Sequence, residues 1–357
     1  MNLDETGFNK MKKIINVLTS ATVLSTVLLS GASYAAYEIK VNDDETIKFG
    51  GFIKIDGRHV DGNVGYRDFW IGSGTVLAED ASQTKFFANE SRINTTYTGN
   101  GVTAFIEMDF YGGGGNEIIS NSSNPRLRHA TIKYDNFVIG QTWTTFMNTS
   151  ALAETVDFAG AMVGEAFVRN TQVRYSKNGF SVALENPESY GGDPTNDSMP
   201  DMIAKYQFKG DWGNVSVAAL VRQLTTLTGE TESAAGVSVA GKINVAGKDD
   251  FRFQLHQGNL GRYVGVAAAQ DLVGEEVEES SSFMVAYRHF WTEAVRSSVF
   301  YGNITTTESD VDRSHWGVNI FKNYTPKFSI GAEVGNFEMA EADADSTYMQ
   351  VSAKLAF

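Results

Sequence analysis

The chain contains no cysteine, and only five of its 357 residues are proline. The first absence excludes disulfides, thiolate catalysis and Cys-ligated metal. Few prolines beside 35 glycines suit many hydrogen-bonded strands joined by tight turns. Positive charge is also scarce. Lys and Arg number 29 against 43 Asp and Glu, a formal charge of -14 with pI ≈ 4.8. That balance argues against nucleic acid as a partner. Long apolar runs are missing as well. After residue 35 no stretch stays apolar for the roughly 18 residues that a membrane helix needs. The mean hydropathy of -0.21 looks soluble. It equally suits a strand wall in which only every second residue meets lipid.

What is present begins with an export signal. Lys12 and Lys13 open a basic segment, residues 14–29 (IINVLTSATVLSTVLL) form an apolar run, and small residues follow at Ser33 and Ala35. This order is that of a secretory leader, with cleavage expected after Ala35. Met11 is the expected initiator, with residues 1–10 an over-extended start. Residues 1–35 are therefore the expected leader and 36–357 the mature domain.

The mature chain alternates with period two. Ile47, Phe49, Ile53 and Ile55 oppose Lys48, Lys54, Asp56 and Arg58. Ile106 and Met108 oppose Glu107 and Asp109. Val215, Val217, Ala219 and Val221 oppose Ser216 and Arg222. Each segment has an apolar and a polar face, the pattern of a half-buried strand. A soluble sandwich shows the same alternation, so three further features decide. Short turns alternate with long loops: 98–101, 135–136, 177–179, 210–213, 246–250, 291–293 and 323–327 are short, whereas 58–82, 111–125, 143–167, 187–200, 224–235, 259–281, 306–312 and 338–346 are long. Aromatics such as Tyr97, Phe137, Trp212, Trp291 and Tyr324 cluster beside the short turns, as in an interfacial girdle. The last strand alternates through Met349, Val351, Ala353 and Leu355 to Phe357. Residues 262–270 (RYVGVAAAQ) and 68–72 (DFWIG) look strand-like but fall on the long-loop side. Setting them aside gives an even count. The expected fold is all-β, a transmembrane antiparallel β-barrel of about 16 strands, with an aqueous lumen at that size.

One connection stands out. Residues 143–167 span roughly 25 positions without alternation, a length that is usually functional. It is the third long loop, between the fifth and sixth strands, and is expected to fold inward. The lumen faces carry Arg58, Arg92, Arg174, Arg222, Arg252, Arg288 and Arg296, with Arg126 and Arg128 at a strand start and Arg169 where the loop rejoins the wall. The loop carries Glu154, Asp157 and Glu165. Opposed rows of charge would set a transverse field at the narrowest point and favour anions. The plainer reading is that each arginine pairs with an inward acid and stabilises the wall. The acidic outer loops read as a solvated rim.

No catalytic fingerprint is present. His59, His129, His256, His289 and His315 are scattered without metal spacing, and no cofactor motif occurs. No cofactor and no enzymatic activity are expected. Expected partners are small anionic solutes, the lipid bilayer and lipopolysaccharide. Two other readings are a weakly selective general diffusion pore and a non-transport barrel, an adhesin or an enzyme.

In chain order, segments 48–57 (KFGGFIKIDG), 91–95 (SRINT), 105–113 (FIEMDFYGG), 127–130 (LRHA), 140–147 (GQTWTTFM), 154–160 (ETVDFAG), 167–175 (FVRNTQVRY), 180–187 (FSVALENP), 260–263 (LGRY) and 286–292 (AYRHFWT) resemble the DcaP-like trimeric porins of Gram-negative outer membranes. The resemblance implies a sixteen-stranded homotrimer with an inward third loop that passes small, often anionic solutes such as dicarboxylates. Some members carry a coiled coil before the barrel. The segment after Ala35 shows no heptads.

Overall fold

The computed structural model describes residues 37–65, 75–161, 163–264 and 269–357, with the Glu117 side chain left aside. The expected leader at 1–35, the DFWIG segment and part of RYVGVAAAQ lie outside the described residues.

Eighteen hydrogen-bonded segments form one antiparallel sheet. The short Tyr37–Lys40 segment pairs side by side and antiparallel with Thr46 to Phe49 at the start of the first wall strand and is not needed to close the ring. Two other segments are halves of a single wall strand, which leaves sixteen. They are β1 (Glu45–Val64), β2 (Val76–Phe87 continuing as Arg92–Gly99), β3 (Val102–Asp109), β4 (Arg126–Tyr134), β5 (Phe137–Trp143), β6 (Arg169–Lys177), β7 (Phe180–Glu185) and β8 (Asp201–Gly210). The second half comprises β9 (Gly213–Thr225), β10 (Thr231–Asn244), β11 (Asp250–Gly258), β12 (Ser280–Phe290), β13 (Val295–Thr306), β14 (Asp312–Asn323), β15 (Phe328–Met339) and β16 (Ala344–Ala356). Each pairs with its sequence neighbour, and β16 pairs back onto β1 from Ala356↔Phe52 to Ser346↔Gly62. No edge strand is left among the sixteen, which is what hydrocarbon demands of backbone polar groups.

The two faces of the wall decide which solvent it meets. Ile53, Ile55, Leu255, Ile320 and Val334 are 48–52% exposed, whereas Asp56, Arg58, Arg128, Gln350 and Glu333 are at most 2% exposed. Apolar outside and polar inside is the inverse of a soluble domain. The wall therefore meets lipid outside and encloses a polar lumen. Aromatics ring the short-turn end: Tyr134, Trp212, Trp291 and Tyr324 are exposed there, and Phe137 packs on Tyr175 at 5.1 Å. Two of these turns, at Asn100-Gly101 and Asn178-Gly179, have positive φ at both residues. Asn-Gly adopts that geometry at little cost, and it matches the strand twist.

Several outer connections are shorter than the sequence suggests. The expected loops 58–82, 224–235 and 338–346 reduce to 65–75, 226–230 and 340–343, because the strands run on beyond them. Glu338 pairs with Asp345 and Leu224 with Glu232 inside regular ladders. Pairing satisfies backbone groups wherever strands lie side by side, in water as in lipid. A polar segment is therefore no sign that a strand has ended. Glu278, expected to be solvated, is buried. It accepts hydrogen bonds from the backbone of Thr307, Glu308 and Ser309, tying two loops together.

Candidate constriction site

The connection between β5 and β6 is built to leave the wall. Gln141 bridges to the carbonyls of Leu127 and Arg128 where β4 and β5 part. Beyond Trp143 the chain makes a short 3₁₀ turn, Thr149–Ala151, capped by Asn148. From there its backbone bonds to inward side chains of many strands. Lys205 of β8 donates to the Met147 carbonyl and Arg252 of β11 to that of Leu152. Gln254 meets both Ala151 O and Ala166 N.

Residues 154–157 (ETVD) are held most tightly. The Glu154 carboxylate lies between Arg296 and Arg288, at 2.8 and 3.2 Å. Asn319 donates to the Glu154 carbonyl. The Val156 N–H donates to Glu333 at 2.8 Å, and its carbonyl accepts from Lys54 Nζ at 2.8 Å. Lys54 is also paired with Asp56 and Glu90. Arg58 Nη2 reaches Asp157 at 3.0 Å. Burial alone would raise the Glu154 carboxyl. The Arg296 and Arg288 charges outweigh it and hold the group below its ordinary range. The described residues of the apolar segment that follows, 158–161 and 163, pack against the wall: Ala161 joins Ala153, Met284, Ala286 and Phe300 in a buried apolar cluster, and His315 bonds the Ala161 carbonyl. Phe158 stacks on Tyr111 at 4.9 Å. At Gly302 of β13 an added Cβ would lie 2.0 Å from the Val163 carbonyl oxygen. The wall reserves that glycine for the approach of the loop backbone.

The second group of arginines lies on β2–β6. Glu107 and Asp109 of β3 form its acidic base. Arg128 bonds both, at 2.8 Å each. Arg126 grips Asp109 through two hydrogen bonds, and Arg92 lies 3.7 Å from Glu107. A bulge aims Arg128: Glu107 faces His129 and Met108 faces Leu127, so Arg128 is the extra residue. Unbulged alternation would place it on the lipid side with Ala130 and Ile132. Arg128 approaches the Trp143 ring at 6.0 Å, and Arg169 covers that ring at 4.5 Å. The Arg169 guanidinium has no hydrogen bond or ion pair among the described residues, and its Nη1 is buried. Arg174 also lacks a hydrogen-bonded acid partner there.

The thirteen expected residues therefore separate. Arg58, Arg252, Arg288 and Arg296, with Glu154 and Asp157, join loop to wall in direct contact, not as charges facing each other across an opening. Glu165 accepts from the Ala153 N–H within the loop. Arg222 lies apart at the outer end of β9, paired with Asp201 and Asp271. Arg92, Arg126, Arg128 and Arg169 come together around Trp143 and the two acids of β3. Asn319, His315, Trp143 and Tyr111 were not legible as site residues. For Asn319 and His315 the available signal was a polar residue at inward parity.

The sequence matches the family model described as DcaP outer membrane protein over residues 22–324. No curated protein matches the chain. Among solved structures, the outer membrane channel DcaP of Acinetobacter baumannii is similar at 20% identity and TM-score 0.77, over 91% of this chain and 100% of that one. The anion-selective porin from Comamonas acidovorans is similar at 13% identity and TM-score 0.60, over 88% and 100%. Salmonella typhi OmpF, solved with daunomycin, is similar at 11% identity and TM-score 0.57, over 89% and 100%. At such identities the solved structures bear on fold alone.

Proposed function

The chain belongs to the DcaP outer membrane protein family and is a porin of the Gram-negative outer membrane, and on that premise we propose that it favours small anionic solutes at a constriction formed by the inward β5–β6 loop and the β2–β6 arginines. The observation that carries this reading is the charge around Trp143. Four guanidiniums, Arg92, Arg126, Arg128 and Arg169, answer two carboxylates, Glu107 and Asp109. Arg169 has no acid partner among the described residues. An uncancelled positive excess in a narrow, low-dielectric passage raises the local anion concentration. Guanidinium forks suit carboxylates, so dicarboxylates are the first solutes to try.

The test is the reversal potential of single channels in a salt gradient. Replacing Arg92 and Arg169 together by Ala lowers the anion-over-cation permeability ratio. An unchanged ratio overturns the anion reading. It would favour a weakly selective pore, a reading supported by the acids already paired with Arg58, Arg252, Arg288 and Arg296. The homotrimer and the leader belong to the same proposal. Unheated gel migration as a trimer and a mature N-terminus at Ala36 are the expected results.

A further inference from the structure

A second connection also departs from the wall. The β11–β12 connection sends two arms, residues 259–264 and 269–279, onto the outer ends of β6–β10. Leu260, Tyr263, Val264 and Leu272 are all 0% exposed. Tyr263 Oη donates to Asp201 of β8 at 2.8 Å and accepts from Asn170 of β6 at 3.1 Å. The Tyr263 carbonyl accepts from Phe167 N–H, and Val264 bridges Ala166, so this arm lies on the returning end of the β5–β6 loop. In the other arm, Leu272 packs on Leu224 and Ala234. Asp271 accepts from Arg222, from Tyr190 N–H and from Arg262 N–H.

A loop standing in the water of a barrel mouth would leave such side chains exposed. Their burial means that the mouth is filled on this side. We infer that the two described arms of the β11–β12 connection form a fixed baffle, covering the outer mouth above β6–β10 and leaving solutes the side of β2–β5, where most of the arginine cluster lies. This rests on the reading of the chain as an open channel. The arm at 269–279 is acidic, with Glu275, Glu276, Glu278 and Glu279, but the latch that holds the baffle is charge-balanced. Arg222 and Arg262 are matched by Asp201 and Asp271, all in contact. Removing one arginine and one aspartate of the latch therefore alters width without altering net charge, and the β2–β6 arginines select by charge.

The absence of cysteine in the chain allows a clean test. In an Ala166→Cys/Val264→Cys variant, oxidation forms the cross-link and leaves single-channel conductance unchanged. Failure to cross-link, or a fall in conductance on oxidation, overturns the baffle. An Arg222→Ala/Asp271→Ala variant, checked for a folded barrel by heat-dependent gel mobility, removes the latch. Uncharged tri- and tetrasaccharides then enter proteoliposomes several-fold faster while the reversal potential is unchanged. Unaltered sugar entry, or a shifted reversal potential with unaltered entry, overturns it. A parent channel without ion preference would defeat the anion reading, and the sugar comparison would still decide the baffle.

Discussion

Arg169 lies with its guanidinium carbon 4.5 Å from the centre of the Trp143 ring, and among the described residues no carboxylate forms an ion pair with it. It contrasts with Arg58, which is bonded to Gln350 and paired with Asp157. The two arginines are both inward and both largely buried, but they do different physical work. Arg58 fastens the loop, and Arg169 adds to the field.

Arg169→Gln therefore leaves a folded barrel and lowers the anion-over-cation permeability ratio. Arg58→Gln leaves the ratio nearly intact and costs stability, on the order of 3–5 kcal/mol for a buried pair broken on one side. Reversal potentials and urea unfolding in lipid vesicles measure the two. If Arg169→Gln proves the less stable of the pair and leaves selectivity alone, the division of roles is wrong.

Glu154→Gln has an expected sign that stability alone would not suggest. Glu154 holds Arg296 and Arg288, whose side chains keep 17% of their exposure. Removing its charge uncovers Arg296, while Arg288 keeps Asp250, and loosens the loop. Open-channel noise rises, and anion preference increases. A decrease in anion preference would contradict the placement of these arginines along the permeation path.

Acid should act late. The folded-state carboxyl of Glu154 is depressed, so its contribution is fully present above the ordinary Glu value of about 4.3. The contribution is lost as pH falls through the lower folded value. At the short-turn end, Asp249 accepts from Phe290 N–H, His289 and Tyr287, which lower it from 3.8 to about 2. Its contribution is complete above 3.8 and fades as pH falls through about 2. The part of the loop noise that depends on Glu154, read as the difference from Glu154→Gln, is thus constant between pH 7 and 5 and changes only below the ordinary carboxylate range. A Glu154-dependent difference that already changes near pH 6 would contradict the depressed carboxyl.

Gly302→Ala tests the contact between loop and wall. The new methyl would meet the Val163 carbonyl oxygen, and neither backbone can yield cheaply. Overpacking of this kind costs roughly 1–3 kcal/mol. The barrel folds, and single-channel conductance changes as the loop is displaced. A variant with parental conductance would show that the loop does not rest on β13.

Much of this architecture is written locally. Whether a residue faces lipid or lumen follows from period two, because successive side chains of a strand point to opposite faces. For that reason the even strand count and the inward set from Lys54 to Glu333 could be proposed from one sequence, and the β5–β6 loop stood out as the stretch where the alternation stops. Strand ends were less legible. The residues around Glu232 and Asp345 are polar on both faces once they leave the membrane, and only pairing with a neighbour marks them as strand.

The fate of each charge was decided by tertiary structure alone. Arg58, Arg169 and Arg288 look alike in sequence. Arg58 meets an acid 99 positions away, Arg288 one 134 positions away, and Arg169 meets a tryptophan. Arg128 points inward only because a bulge adds one residue opposite Glu107 and Met108. Alternation is a property of neighbours along the chain and is dictated by backbone geometry. Neutralisation is a property of neighbours in space, and those are chosen by how the loop lies across the barrel.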